Sequence, residues 1–206
     1  TWPNGARSMM WGIDYSPDGS VWFTDESYDS VWTFSTLDEK YTRIGYPTES
    51  DSLPQRLLID GSKIIINDFT GNKLTLLDPN QSGEEINYLS IPSPIDNSVT
   101  AGFAVDAKDN IWFTNWLFQQ GGVLVKFNQN GYLDSVASSN EQSLPLLDHV
   151  EIYELPTTLL TPNGAAVSSD GTIWLADTTS SSFFNFNPIT EKFIQYVTAD
   201  PVLNTY

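Results

Sequence analysis

The residues able to do chemistry in this chain are mostly carboxylates and amides, gathered at recurring places. Asp25 and Glu26 are adjacent, Asp29 follows closely, and Asp14 and Asp18 flank a tight turn just before them. Hard oxygen donors spaced in this way are the kind that hold Ca2+. Asx turns and the capping of strand ends use the same residues without a metal, and Asp-Gly is the dipeptide a tight hairpin favours, so the turn reading is preferred. His149 is the only histidine. As a proton-transfer group it would need an orienting partner, and Asp148 and Glu151 stand near it in sequence. A surface histidine in an inserted loop is the simpler account. The run Asn115-Trp116-Leu117-Phe118 carries more apolar surface than a hairpin turn requires and is a candidate contact loop. The sequence has no Gly-rich phosphate loop and no Gly-x-Ser-x-Gly nucleophile motif.

The elements that must position these residues repeat along the chain. Asp-Gly-Ser-Val-Trp-Phe-Thr-Asp at Asp18 to Asp25 returns as Asp-Asn-Ile-Trp-Phe-Thr-Asn at Asp109 to Asn115, and as Asp-Gly-Thr-Ile-Trp-Leu-Ala-Asp at Asp170 to Asp177. A degenerate copy without tryptophan lies at Asp60 to Asp68. Each copy follows an apolar segment beginning near residues 12, 56, 102 and 164, which gives spacings of about 44, 46 and 62 residues. Alternating apolar segments follow each copy, bounded by Gly, Pro, Asn and Asp, so every unit reads as four antiparallel strands. No stretch shows a helical period. The pattern predicts an all-β chain, a β-propeller of four-stranded antiparallel blades, with units at about 12–50, 56–94, 102–157 and 164–201 in one domain spanning 1–206. The extra length of the third unit falls around Asp134 to Asp148. Trp22, Trp112 and Trp174 share one repeat position, with Ile65 as the counterpart in the second unit, and are expected to fill the space between sheets.

Four units are few for a propeller, so the chain is expected to be part of a larger one. Its end blades are expected to be covered by further blades or by another chain, because bare sheet faces would leave large apolar patches in water. Composition narrows the partners. A net charge of −17, from 26 acidic against 9 basic residues, disfavours nucleic acid and anionic membrane surfaces. No apolar run is long enough to insert in a membrane. The absence of cysteine, the few lysines and the abundance of Asn, Thr and Trp suggest an extracellular or cell-surface protein.

The Asp-Gly-x-Ile/Val-Trp-Phe-Thr-Asp/Asn repeat resembles that of the virginiamycin B (streptogramin) lyases, and the resemblance runs through all four units. It implies a propeller whose catalytic histidine and metal-binding acids sit directly after the Trp-Phe-Thr strand. This chain has Asp25-Glu26, Asp68-Phe69, Asn115-Trp116 and Asp177-Thr178 there, with no histidine. The fourth unit, with Thr161-Pro162-Asn163-Gly164 followed by Ser169-Asp170-Gly171, is similar to the gluconolactonase/senescence-marker-protein propellers. That likeness implies a metal-ligand role for Asn163 in a central tunnel, and places Trp11, Gln55 and Ala101 at the equivalent positions. These four positions carry no acid, so a turn role for Asn163 is preferred. Two functions are carried forward. The first is a non-catalytic binding or scaffold propeller, without cofactor, presenting acidic and aromatic loops to a protein partner. The second is a metal-dependent lyase or lactonase, using Mg2+ or Ca2+, with its catalytic residues in blades outside this chain.

Overall fold

The computed structural model describes residues 9–44, 46, 52–78, 87–139 and 144–198. They fall into two compact units divided between Ile91 and Pro92. In the first unit, Met10–Tyr15, Ser20–Asp25, Ser30–Ser35 and Lys40–Ile44 (β1 to β4) form one sheet, and Pro54–Asp60, Lys63–Asp68, Lys73–Asp78 and Asn87–Pro92 (β5 to β8) form another. In the second unit, Val99–Val105, Asn110–Leu117, Gly121–Asn128 and Val150–Glu154 (β9 to β12) make a third sheet. Pro162–Val167, Ile173–Asp177, Ser182–Asn187 and Lys192–Val197 (β13 to β16) make a fourth. The registered pairs are antiparallel between strands consecutive in sequence, so each sheet is a meander. The Asp-Gly turns explain why: Gly19, Gly61 and Gly171 all take positive φ, and Asp109 does so at φ 61° where the third copy lacks glycine.

Each unit has its core between its two sheets. Trp22 and Val31 of the first sheet meet Leu57, Ile64, Ile66 and Leu77 of the second. Trp112 and Leu124 of the third meet Ile173, Leu175, Phe184 and Phe186 of the fourth. Trp112 stacks on Tyr153, with ring centroids 5.9 Å apart, and its indole N–H donates to the Asp106 carboxylate at 2.9 Å.

The repeat position expected to fill the space between sheets holds its register throughout. Trp22, Ile65, Trp112 and Trp174 stand opposite Asp14, Leu58, Ala104 and Ala166 in the neighbouring first strands. Trp22, Ile65 and Trp112 are buried. Trp174 departs from the expectation: it is only half-buried, leaning on Tyr196 at 5.3 Å on a face whose other large side chains are exposed.

The third repeat, in the second unit, holds the second departure, a helix Gln129–Ser138 (α1) that the sequence pattern does not announce. The helix forms by capping and anchoring rather than by periodicity. The Asn128 side chain accepts from Gly131 N–H at its start, and buried Tyr132 packs on Phe127 and edge-on against His149.

A close approach of backbones joins the sheets within each unit. A Cβ on Gly12 would lie 2.5 Å from the Gln55 carbonyl oxygen, and one on Gly102 would lie 2.7 Å from the Gly164 carbonyl carbon. The threonine of each Trp-Phe-Thr segment locks that approach. Thr24 Oγ1 accepts from Gly12 N–H at 2.9 Å and donates to the Gln55 carbonyl, while Thr114 Oγ1 donates to the Pro162 carbonyl at 2.8 Å.

Candidate functional site

Each first strand is irregular at its start. The register shifts between Met10 and Ile13, between Pro54 and Leu57, opposite Phe113 to Asn115, and between Pro162 and Gly164. Trp11, Gln55, Ala101 and Asn163 therefore all sit within irregular segments, where a bulge re-aims side chains and strand ends. Beside them in each sheet lies the end of the Trp-type strand, carrying Asp25, Asp68, Asn115 and Asp177.

Those four residues are all buried, but their partners differ. Asp177 is consumed by its own loop. Its carboxylate accepts from Leu160 N–H at 2.9 Å, Thr161 N–H at 3.1 Å, the Thr161 hydroxyl at 2.9 Å, Thr179 N–H at 3.0 Å and the Ser180 hydroxyl at 2.6 Å. Burial raises its pKa, yet these donors together outweigh burial and hold it below the usual carboxylate range. Asp68 is similarly engaged by Ser52, Leu53 N–H, Gly71 N–H and the Tyr46 hydroxyl, with Lys73 Nζ 4.0 Å away.

In the first sheet the corresponding acid is left partly open. Asp25 is 0 % exposed; its Oδ1 accepts from Ser27 N–H at 3.1 Å, and its Oδ2 has no hydrogen-bond partner. Glu26 Oε2 is likewise buried without a donor. Burial and the neighbouring Asp29 raise the Glu26 pKa, and a hydrogen bond with Gln55 opposes the rise. The Asp29 pKa is also raised, first by burial and then by Asp68 and Asp25. In the third sheet, Asn115 donates to the Thr100 hydroxyl at 2.8 Å while its Oδ1 finds no donor. Asn163 donates to the Thr178 hydroxyl at 3.0 Å, and its Oδ1 is also unpartnered.

The turn carboxylates behave as turn residues. Asp18 accepts from Ser20 N–H at 2.8 Å, and Asp14 bridges the two sheets of its unit by accepting from Ile59 N–H at 2.8 Å. His149 ends a short 3-10 turn, Leu146–His149, half-buried against Tyr132. Of the run from Asn115 to Phe118, the first three residues belong to β10, and Asn115 and Trp116 are buried. Leu117 is half-buried and Phe118 is 60 % exposed, so Phe118 is the member most open to a partner.

A metal cage needs several oxygen or nitrogen donors converging on one point. Among the described residues, no three His, Asp or Glu side chains are so arranged. The described residues do not by themselves assemble the metal centre that the lyase and lactonase resemblance implies. The partly open pair Asp25 and Glu26, and the amide oxygens of Asn115 and Asn163, can instead accept hydrogen bonds from a ligand. The sequence shows which positions matter by their place in the repeat. It does not show which acids stay open, because the donors that occupy Asp68 and Asp177 come from loops whose contacts the repeat does not encode.

Four-stranded meander sheets, repeating with a large side chain at one register position, define this chain as β-propeller blades. No family model matches the sequence, and no curated protein matches it. Solved structures do. A streptogramin B lyase structure aligns with a TM-score of 0.70 at 19 % identity, covering 92 % of this chain and 55 % of that one. A catalytically inactive virginiamycin B lyase from Staphylococcus aureus with quinupristin aligns at 0.71 and 16 % identity, covering 97 % and 59 %. A periplasmic gluconolactonase from Pseudomonas aeruginosa aligns at 0.62 and 14 % identity, covering 92 % and 53 %. The chain thus spans a little over half the length of these neighbours. At such identities the likeness shows the fold.

Proposed function

We propose that this chain is a binding segment of a β-propeller, non-catalytic in itself, whose loop end meets a protein partner outside the cell. The observation that carries this reading is the state of the strand-end carboxylates. Asp177 accepts five hydrogen bonds, and Asp68 is bound by hydroxyls and backbone N–H groups of its own unit. Carboxylates so occupied fix loop shape and offer little to a metal ion or a substrate. Elsewhere on the chain, exposed Phe118 and a net charge of −17 provide contact chemistry suited to a basic, partly apolar partner. The excess of acidic residues weighs against nucleic acid. Among the described residues no helix is long and apolar enough to cross a membrane.

A metal-dependent lyase or lactonase is the second reading, favoured by the buried, donorless oxygens of Asp25 and Glu26 and by the lyase and lactonase neighbours. Under it, Mg2+ or Ca2+ would draw on those oxygens together with residues outside the described ones. Calorimetric titration with each ion, followed by lactone and streptogramin turnover assays, separates the two. The binding reading expects no tight metal uptake and no turnover. Micromolar metal binding lost in Asp25→Asn, or metal-dependent turnover, would replace it with the enzymatic one.

A further inference from the structure

Two exposed sheet faces, one on the first sheet and one on the fourth, are unequal, and each matches one side of an interface already built inside a unit. In the second unit, the third sheet inserts Trp112, Leu124 and Tyr153 into the core it shares with the fourth. Three side chains hold the same register positions on the fourth sheet. Ala176 pairs with Phe183 and Phe183 with Tyr196, as Thr114 pairs with Leu124 and Leu124 with Tyr153, and Trp174 takes the place of Trp112. The ring contact is repeated too: Trp174 lies 5.3 Å from Tyr196 at a tilt of 35°, and Trp112 lies 5.9 Å from Tyr153 at 23°. Yet Phe183, Ile194 and Tyr196 are exposed. This is an inserting face with nothing inserted.

The first sheet has the opposite face to spare. The fourth sheet receives Trp112 with Ile173, Leu175 and Phe186, backed by Phe193, whose ring lies 4.6 Å from that of Phe186 at 37°. On the first sheet, Val21, Phe23 and Phe34 hold those receiving positions, and Tyr41 lies 4.7 Å from Phe34 at 39°. Ile13, Tyr15 and Tyr41 on this face are 71 %, 60 % and 63 % exposed. Phe23 is itself buried beneath them, but among the described residues this receiving face is otherwise uncovered.

We propose that the occupant of each face is a second copy of this chain, docked head to tail. The inserting face of one copy, around Trp174, enters the receiving face of the other, around Ile13 and Phe34. The contact repeats an interface the chain forms internally in both units, and clustered exposed apolar side chains mark association surfaces. Head-to-tail contacts are heterologous, so association gives a ring if the rotation closes and an open chain of copies if it does not. Like charge at −17 per chain opposes the encounter, so added salt should strengthen it.

Light scattering on the chain from dilute to concentrated solution tests the proposal. The expected mass rises above 23.0 kDa with concentration. Trp174→Asp spoils the inserting face and Ile13→Asp the receiving face, and Phe183→Asp serves as a second inserting-face variant. Each is checked for fold by circular dichroism. Each alone should weaken association by about thirtyfold or more, as loss of an interface anchor does. Mixed in equal amounts, Trp174→Asp and Ile13→Asp chains keep one good face each and should pair one to one, without growing further. A folded chain that stays at 23.0 kDa throughout overturns the proposal and leaves further blades of a longer polypeptide as the occupant. So does a mixture of the two variants that fails to pair, which would point to symmetric face-to-face contact or to a different partner.

Discussion

Replacing Thr24 by valine keeps the shape of the side chain and removes both of its hydrogen bonds, which makes it a clean test of how the blades are joined. Thr24 is 0 % exposed, accepts from Gly12 N–H and donates to the Gln55 carbonyl. Valine would strand a buried donor and a buried acceptor, each costing about 1–3 kcal/mol. The added methyl group returns about 0.8 kcal/mol of burial. The net loss is about 1–5 kcal/mol. Thr114→Val should cost less, about 1–2 kcal/mol, because Thr114 donates to the Pro162 carbonyl and makes only a longer approach to the Gly102 carbonyl, and a carbonyl tolerates under-satisfaction better than an N–H. Thr24→Ser should recover most of the loss. Urea denaturation gives the totals, and hydrogen exchange resolved to β1 and β13 assigns them to the right unit. If Thr24→Val matches the wild type, or costs no more than Thr114→Val, the joint is not held by this hydroxyl.

Three further outcomes follow from the same geometry. Trp112→Ala should cost about 3–5 kcal/mol by emptying a packed core, whereas Trp174→Ala in the dilute chain should cost far less, since the same repeat position is half-buried there; thermal or urea unfolding compares them directly. Asp177→Ala strips the acceptor from five donors and should destabilise by about 3 kcal/mol at neutral pH. Because the folded pKa of Asp177 is lowered, that contribution is whole above the unfolded value near 3.8 and fades as pH falls through the folded one, so the gap between wild type and variant should narrow only in strong acid. Glu26 has the opposite sign: its folded pKa is raised, so its favourable contribution holds below the unfolded value near 4.5 and is lost as pH rises through the folded one. Glu26→Gln should therefore stabilise the chain at neutral pH and not below pH 4, as read by urea midpoints across pH.

Blade positions are legible in this sequence because each turn demands a particular residue and each strand alternates. Asp18-Gly19, Asp60-Gly61 and Asp170-Gly171 mark hairpins, and Trp22, Ile65, Trp112 and Trp174 keep one register because a one-residue slip would turn every apolar side chain to the other face. The helix Gln129–Ser138 escapes such a reading for a physical reason. Its polar sequence, with Gly131 near the start, has little helical preference of its own, and it stands on the Asn128 cap and on Tyr132 held between Phe127 and His149. Those contacts are tertiary, and no local pattern announces them.

The site is harder to read because one letter stands for two situations. Asp25, Asp68 and Asp177 end equivalent strands, yet Asp68 and Asp177 are held by hydroxyls and N–H groups from the chain leading into their first strands, at Ser52 and Leu53, and at Leu160 and Thr161. The second sheet also supplies Gly71 N–H from the following turn, and the fourth supplies Ser180. Among the described residues, Asp25 accepts from Ser27 N–H, and its Oδ2 has no donor. A carboxylate with five donors is a fixed part of the fold; one with a bare buried oxygen is poised to accept from something else. Among the described residues, Asp25 of the first sheet therefore keeps an acceptor oxygen that Asp68 and Asp177 have given to their own loops, and the amide oxygen of Asn163 keeps one on the fourth sheet.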